Sequence, residues 1–443
     1  MQGQSPCRTH CKEDKNMLDE KKTYGFDTLQ AHAGQKPDPT TGASAVPIYQ
    51  TASFAFESVQ YAAELFNHER SGNIYSRIMN PTVDVLEKRL AALERGVGAV
   101  AFASGMAAEV AAVFSLAKTG DEIVAATTLY GGTYTLFGDR LPERFGIKVN
   151  FVDVEDFEAL DKAINEKTRL VYFETLGNPQ INLPDIEKIC KIAHKHGVPT
   201  VCDNTFGTPG LIDLKKWGVD IVIHSATKYL GGHGTTIAGA LIDLGNFNWK
   251  GNARFPDFNE PDPTNHGMIY ADQTAPVATK ARAQVLRDMG ACLAPFSAFL
   301  LLQGLETLSL RVERHCRNAE KVAEFLQGHP NVTYINYPYL PGDKYHERYL
   351  KYMPNGCGAI MTFGVKGGKS AGAKFIERCQ IFTHLANIAD AKSLVIHPAS
   401  TTHSQLDEKA LVASGTLPDM IRMSVGIEDV NDLIADLKQA LEG

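Results

Sequence analysis

The chain has 443 residues, 44% of them hydrophobic and 21% charged, with a formal net charge of −7. That length supports more than one domain around a large buried core, and the composition is that of an ordinary globular protein. The weak negative charge is spread along the chain, leaving no footprint for nucleic acid or an anionic membrane, and no apolar run approaches the roughly 18 residues of a membrane span.

The opening stretch, "MQGQSPCRTHCKEDKNMLDEKK", is polar and has no apolar signal-peptide centre, which predicts a cytoplasmic protein. Residues 1–20 read as a disordered tail, with Met17 as an alternative start. Cys7, His10 and Cys11 mimic part of a metal cluster. No second ligand pair follows at zinc-finger spacing, so no metal is expected. The other cysteines, Cys190, Cys202, Cys292, Cys316, Cys357 and Cys379, are scattered and read as reduced thiols. Residues 1–70 carry few regular signals and read as an N-terminal arm.

From about residue 97 the pattern alternates strand and helix. "GAVAFAS" is a short apolar run, and "GMAAEVAAVFSLAKTGD" follows it with helical character and a Gly-Asp stop. Then come "EIVAATT", "KVNFVD", "TRLVYFET", the helix "PDIEKICKIAHKHG", and the runs "PTVCDNT" and "VDIVIHSAT". Short Val/Ile-rich strands between helices predict an α/β fold with a mostly parallel sheet covered on both faces, and in such sheets ligands gather at the carboxyl ends of the strands. Residues 245–285 break the rhythm with Pro, Asn, Asp and Gly and read as a long loop. Beyond it, residues 294–330 read as a long helix bent or broken at Gly304. "GAIMTFGV" reads as a strand and "DVNDLIADLKQALEG" as a terminal amphipathic helix. The expected organisation is an arm over 1–70, a large domain over 71–290 and a smaller C-terminal α/β domain over 291–443.

Three strand ends carry unusual residues. In "ASGMAAE" a strand stops at Ser104 and a helix opens at Gly105, a geometry suited to a phosphate. Alone, such a start is more often a plain helix cap. In "VCDNT" Asp203 ends an apolar strand, where a carboxylate needs a partner; alone it reads as a cap or a loop ion pair. In "HSATKYLGGHG" the hydroxyls of Ser225 and Thr227 precede Lys228, and Gly231, Gly232 and Gly234 permit a tight backbone. Together, an amine, a carboxylate and a phosphate cradle suit pyridoxal phosphate, which needs a lysine for a Schiff base and an acid beside its ring nitrogen.

The words "AVPIYQTASFAF", "YSRIMNPT", "ASGMAA", "LYGGTY", "ETLGNP", "DNTFGTP", "HSATKYLGGHG" and "RMSVGIED" stand in the order found in the Cys/Met-metabolism group of pyridoxal-phosphate enzymes. The chain resembles that family from about Gly25 onward. The resemblance implies the aspartate-aminotransferase-like fold, with a large cofactor-binding domain and a smaller C-terminal domain. It implies that Lys228 is the Schiff-base lysine and Asp203 the partner of the ring nitrogen. Gly105 and Met106 would be backbone phosphate donors, and Ser225 and Thr227 side-chain donors. Tyr130 in "LYGGTY" would stack on the ring and assist proton transfer. Asn178 would lie near the phenolic oxygen, and Arg422 would grip the substrate carboxylate. Tyr75 and Arg77 would reach the phosphate of a neighbouring subunit, which implies a homotetramer of two catalytic dimers.

Members differ in reaction. Three departures, "GHGTT" over Gly232–Thr236, Asn387 where many relatives have serine, and the long 245–285 segment, resemble the branch that exchanges the acetoxy group of O-acetylhomoserine for sulfide. The alternatives are a γ-lyase acting on methionine or cystathionine, a cystathionine γ-synthase, or a binding protein that has lost catalysis.

Overall fold

A computed structural model describes residues 18, 22–401 and 415–443. The readings of Cys7, His10, Cys11 and Met17 lie outside the described residues. Seven strands form the larger sheet: β1 (Gly98–Phe102), β2 (Glu122–Ala126), β3 (Lys148–Val152), β4 (Thr168–Glu174), β5 (Thr200–Asp203), β6 (Ile221–His224) and β7 (Gly239–Asp243). Their spatial order is β1-β7-β6-β5-β4-β2-β3. β7 runs antiparallel to both its neighbours, while β2 to β6 pair in parallel. Every residue of β5, β6 and β7 is buried, as expected of strands covered on both faces.

β1 hands over to the helix Gly105–Leu116, whose N-cap Ser104 accepts from the Ala107 N–H. Its alanines favour helix and are small enough for close packing on the sheet. Pro81–Leu93 starts behind Asn80 with Pro at its first turn, and Val83, Leu86, Leu90 and Leu93 turn one stripe into the core. Its Arg89, fully buried, donates to Ala33 O at 3.1 Å and Gln35 Oε1 at 2.8 Å. The predicted arm is thus tied down, and it contains the short helices Phe26–His32 and Val59–Phe66.

The second sheet takes β8 (Val332–Asn336), β9 (Ile360–Val365), β10 (Thr383–His384), β11 (Leu394–Ile396) and β12 (Met420–Ser424) in the order β10-β11-β12-β9-β8. The expected strand and terminal helix appear as β9 and Val430–Glu442.

Two expectations need correction. Residues 245–285 are not a structureless loop. They fold into short helical turns around the stacked rings of Trp249 and Phe258, with Phe255 and Tyr270 also buried. Prolines at Pro256, Pro263 and Pro276 open these turns as helix starts, where a missing N–H costs nothing. The long helix also breaks later than Gly304: it runs Pro295–Leu305 and resumes at Leu308–Gln327. Gly304 serves close approach instead, since a Cβ there would meet Gly231 O at 2.4 Å.

Candidate active site

The carboxyl ends of β4, β5 and β6 open on a cavity of about 270 Å³ that also takes Arg422 of β12 and the segment 386–388 between β10 and β11. Ser104, Gly105, Met106, Tyr130, Asn178, Asp203, Ser225, Thr227, Lys228, Asn387 and Arg422 all line it. Residues more than 300 positions apart are therefore brought to one place. Tyr75 and Arg77 are not among the lining residues. Tyr75 is 41% exposed, the Arg77 guanidinium lies over its ring, and Arg77 donates to the Arg287 carbonyl.

The backbone makes one end of the cavity a cradle. Gly105 packs so closely on Ser225 that a Cβ would meet the Ser225 Cβ at 2.9 Å. At Gly239 a Cβ would meet Ser104 O at 2.0 Å, so the start of β7 presses on the helix start. The helix therefore offers its first N–H groups to the cavity with no side chain in the way. The Ser225 N–H donates to Thr205 Oγ1 at 2.8 Å. Thr227 Oγ1 accepts from the Ala238 N–H at 3.0 Å, which closes the Lys228 loop onto the entry to β7.

Lys228 Nζ donates to Asn387 Oδ1 at 2.5 Å. Burial first, then the nearby Arg422 guanidinium, push its ammonium down to about 8. Arg422, on β12, is buried and donates from Nη1 to Asn178 Oδ1 at 3.0 Å. Burial lowers Arg422 to about 10, which leaves it cationic at neutral pH. Asp203 Oδ1 accepts from the Thr205 N–H at 2.8 Å. Burial raises Asp203 above the usual carboxylate range, and the Thr205 hydrogen bonds and His224 oppose that rise. Behind it, His224 and Glu94, both buried, meet at 2.6 Å.

The sequence reading missed Glu109, Glu174 and Gly239. Glu174 ends β4, a strand end like that of Asp203, and accepts from the Tyr130 N–H at 2.6 Å. That position was a readable signal. Glu109 lies within a helical repeat and Gly239 starts an unforeseen strand, so neither carried one.

The cavity thus holds a partly neutral lysine, a buried carboxyl opposite a donor network, an arginine, and a side-chain-free helix start. This donor set fits pyridoxal phosphate: an amine for its aldehyde, an acid for its ring nitrogen, and backbone N–H groups for its phosphate. Fold and site together define an α/β enzyme of the type I pyridoxal-phosphate architecture.

A family model described as "Cys/Met metabolism PLP-dependent enzyme" matches residues 27–442, and the chain belongs to that family. It is 50% identical to an O-acetyl-L-homoserine sulfhydrylase of Leptospira meyeri, over 94% of this chain and 96% of that protein. It is likewise 50% identical to a homocysteine synthase of Schizosaccharomyces pombe, over 94% and 98%. A solved structure from Campylobacter jejuni, of a candidate O-acetylhomoserine (thiol)-lyase bearing N'-pyridoxyl-lysine-5'-monophosphate, superposes with a TM-score of 0.92 at 44% identity. It covers 95% of this chain and all of that one.

Proposed function

We propose that the protein catalyses γ-replacement on O-acetylhomoserine, exchanging acetate for sulfide to give homocysteine. The observation that carries this reading is the cavity itself, lined by Lys228, Asp203, Arg422 and Asn387, in a chain half identical to sulfhydrylases of that substrate.

Pyridoxal phosphate, when bound, supplies the aldehyde that captures the substrate amine and the ring that accepts electrons. The chain's own residues do the rest. Gly105, Met106, Ser225 and Thr227 would hold the phosphate, Asn178 the phenolic side and Asp203 the ring nitrogen. Tyr130, 44% exposed at the cavity wall, offers a flat face for stacking. Arg422 binds the substrate α-carboxylate with a planar fork already oriented by Asn178. Lys228 Nζ takes the proton from substrate Cα and later returns one. With its ammonium near 8, about a tenth of the amine is neutral at pH 7, enough to act as a base. The Tyr130 hydroxyl assists proton transfer near the leaving acetate. The C–O bond at Cγ breaks as acetate departs, and the sulfur of hydrosulfide bonds to that carbon.

Tyr75 and Arg77 lie outside the chain's own cavity. They would complete the neighbour's site in a homotetramer of two catalytic dimers, which sedimentation against activity tests; full activity in a monomer would refute it. Residues 71–290 and 291–443 would then be the cofactor-binding and C-terminal domains.

The deciding experiment offers the cofactor-loaded protein O-acetylhomoserine with and without sulfide, and follows homocysteine, 2-oxobutyrate and ammonia. Sulfide-dependent homocysteine with little oxoacid is expected. Oxoacid and ammonia from methionine or cystathionine, with no sulfide-dependent product, would move the protein to the lyases.

A further inference from the structure

Three carboxyl groups line the cavity: Glu109, Glu174 and Asp203. They differ in what holds them. Asp203 accepts from the Thr205 backbone, and the Thr205 hydroxyl and His224 also favour its ionised form. Glu174 accepts from the backbone N–H groups of Tyr130 and Asn178. Among the described residues Glu109 accepts from the Thr133 hydroxyl, at 3.0 Å on Oε1, and the Tyr172 hydroxyl stands near enough to favour its ionised form as well. Its Oε2 is buried without a close hydrogen-bond partner among the described residues, and so is the Tyr172 hydroxyl. Glu109 is 3% exposed. It stands one turn inside the helix Gly105–Leu116, beyond the free N–H groups at the helix start.

A carboxylate with a dry, unmatched oxygen is costly, and a second one beside Asp203 adds repulsion. Burial first, then the Asp203 charge, raise Glu109 well above the usual carboxylate range, against the opposing pull of the Thr133 and Tyr172 hydroxyls. Among the described residues no cation pairs with it: Lys228 donates to Asn387 and Arg422 to Asn178. A proton on Oε2 turns the unmatched acceptor into a donor.

We propose that Glu109 is a positioning residue held as a neutral carboxylic acid, its one O–H directed toward the Tyr172 hydroxyl, so that Asp203 stays ionised to face the ring nitrogen of pyridoxal phosphate. This rests on the reading that the cavity takes that cofactor.

Glu109→Gln keeps the shape, the acceptor for Thr133 and a donor, and carries no charge. The infrared difference spectrum of cofactor-loaded wild type minus E109Q should contain the carbonyl stretch of a protonated carboxyl, shifted in heavy water. Carboxylate stretches in its place would overturn the proposal. E109Q should also hold cofactor affinity within about twofold and leave the absorbance pH profile of the bound chromophore in place. A move of about one pH unit, as expected from deleting a real charge, would overturn it. Glu109→Met, which removes the donor, should weaken cofactor binding about tenfold. Unchanged binding in E109M would reduce the residue to packing and overturn the proposal; E109Q decides alone if E109M does not fold. Wild-type protein that forms no chromophore at all would overturn the cofactor reading, and this proposal with it.

Discussion

Lys228 and Asn387, 159 positions apart, meet in the cavity wall, amine to amide oxygen at 2.5 Å. The contact aims the amine from the side of the second sheet. Replacing Asn387 by Ala should leave the cofactor bound and lower kcat about tenfold, the value of one hydrogen bond of about 1.4 kcal/mol. Asn387→Asp should act differently. A carboxylate beside the amine favours the ammonium, so the rising limb of the pH–rate profile should move to higher pH. Identical profiles for wild type and both variants would show that the contact has no part in turnover.

Lys228 itself has a pH signature in the cofactor-free protein. Its folded-state value of about 8 lies below the ordinary 10.5, so the folded chain releases this proton first. Between those values the unfolded chain binds more protons, and folding stability gains from this group as pH rises; below about 8 the cost of the buried charge is constant. Amine labelling followed by peptide mass spectrometry should give a midpoint for Lys228 near 8. A midpoint near 10.5 would contradict the burial argument. Lys228→Ala should abolish turnover while the fold persists; appreciable activity would remove the lysine from its role.

Arg422 tests carboxylate recognition. Lysine in its place keeps the charge but loses the fork and the bond to Asn178. R422K should raise KM by about tenfold or more, corresponding to about 1.4 kcal/mol. Competition by simple amino acids should weaken in parallel. An unchanged KM would place the substrate carboxylate elsewhere.

Gly239 tests the cradle. A methyl group there would lie 2.0 Å from a backbone carbonyl, which cannot rotate away. G239A should lower stability by about 2 kcal/mol and weaken phosphate or cofactor binding together. Melting curves with and without inorganic phosphate measure both. A normal melt with normal phosphate binding would show that the helix start tolerates displacement.

The strand ends that line the cavity were legible because their residues break an apolar pattern. Asp203 and Lys228 are out of place behind "VC" and "VIH", and that cost is visible in one dimension. The parallel strands were legible for the same reason. β7 was not, because "AGALID" follows a glycine-rich turn without any crossover helix to announce a strand. Residues 245–285 misled through composition: their prolines start helical turns, and five scattered aromatics, Phe247 among them, supply a core that periodicity does not reveal. Glu109 was hidden because a glutamate in a helix ordinarily points to water. Only tertiary packing puts it beside Asp203.

The reversed direction of β7 sets an order of assembly. Lys228 sits between β6 and β7, whose antiparallel pairing joins His224 to Ala240, 16 positions away. A hairpin of that span closes with little loss of chain entropy, so the lysine loop can form from its own neighbourhood. The Gly105 helix start depends on β1 reaching β7, which pairs Phe102 with Gly239 across more than 130 residues. The lysine loop can therefore be shaped before the Gly105 helix start is in place, and the cavity becomes whole only when the most distant strands of that half of the chain have met.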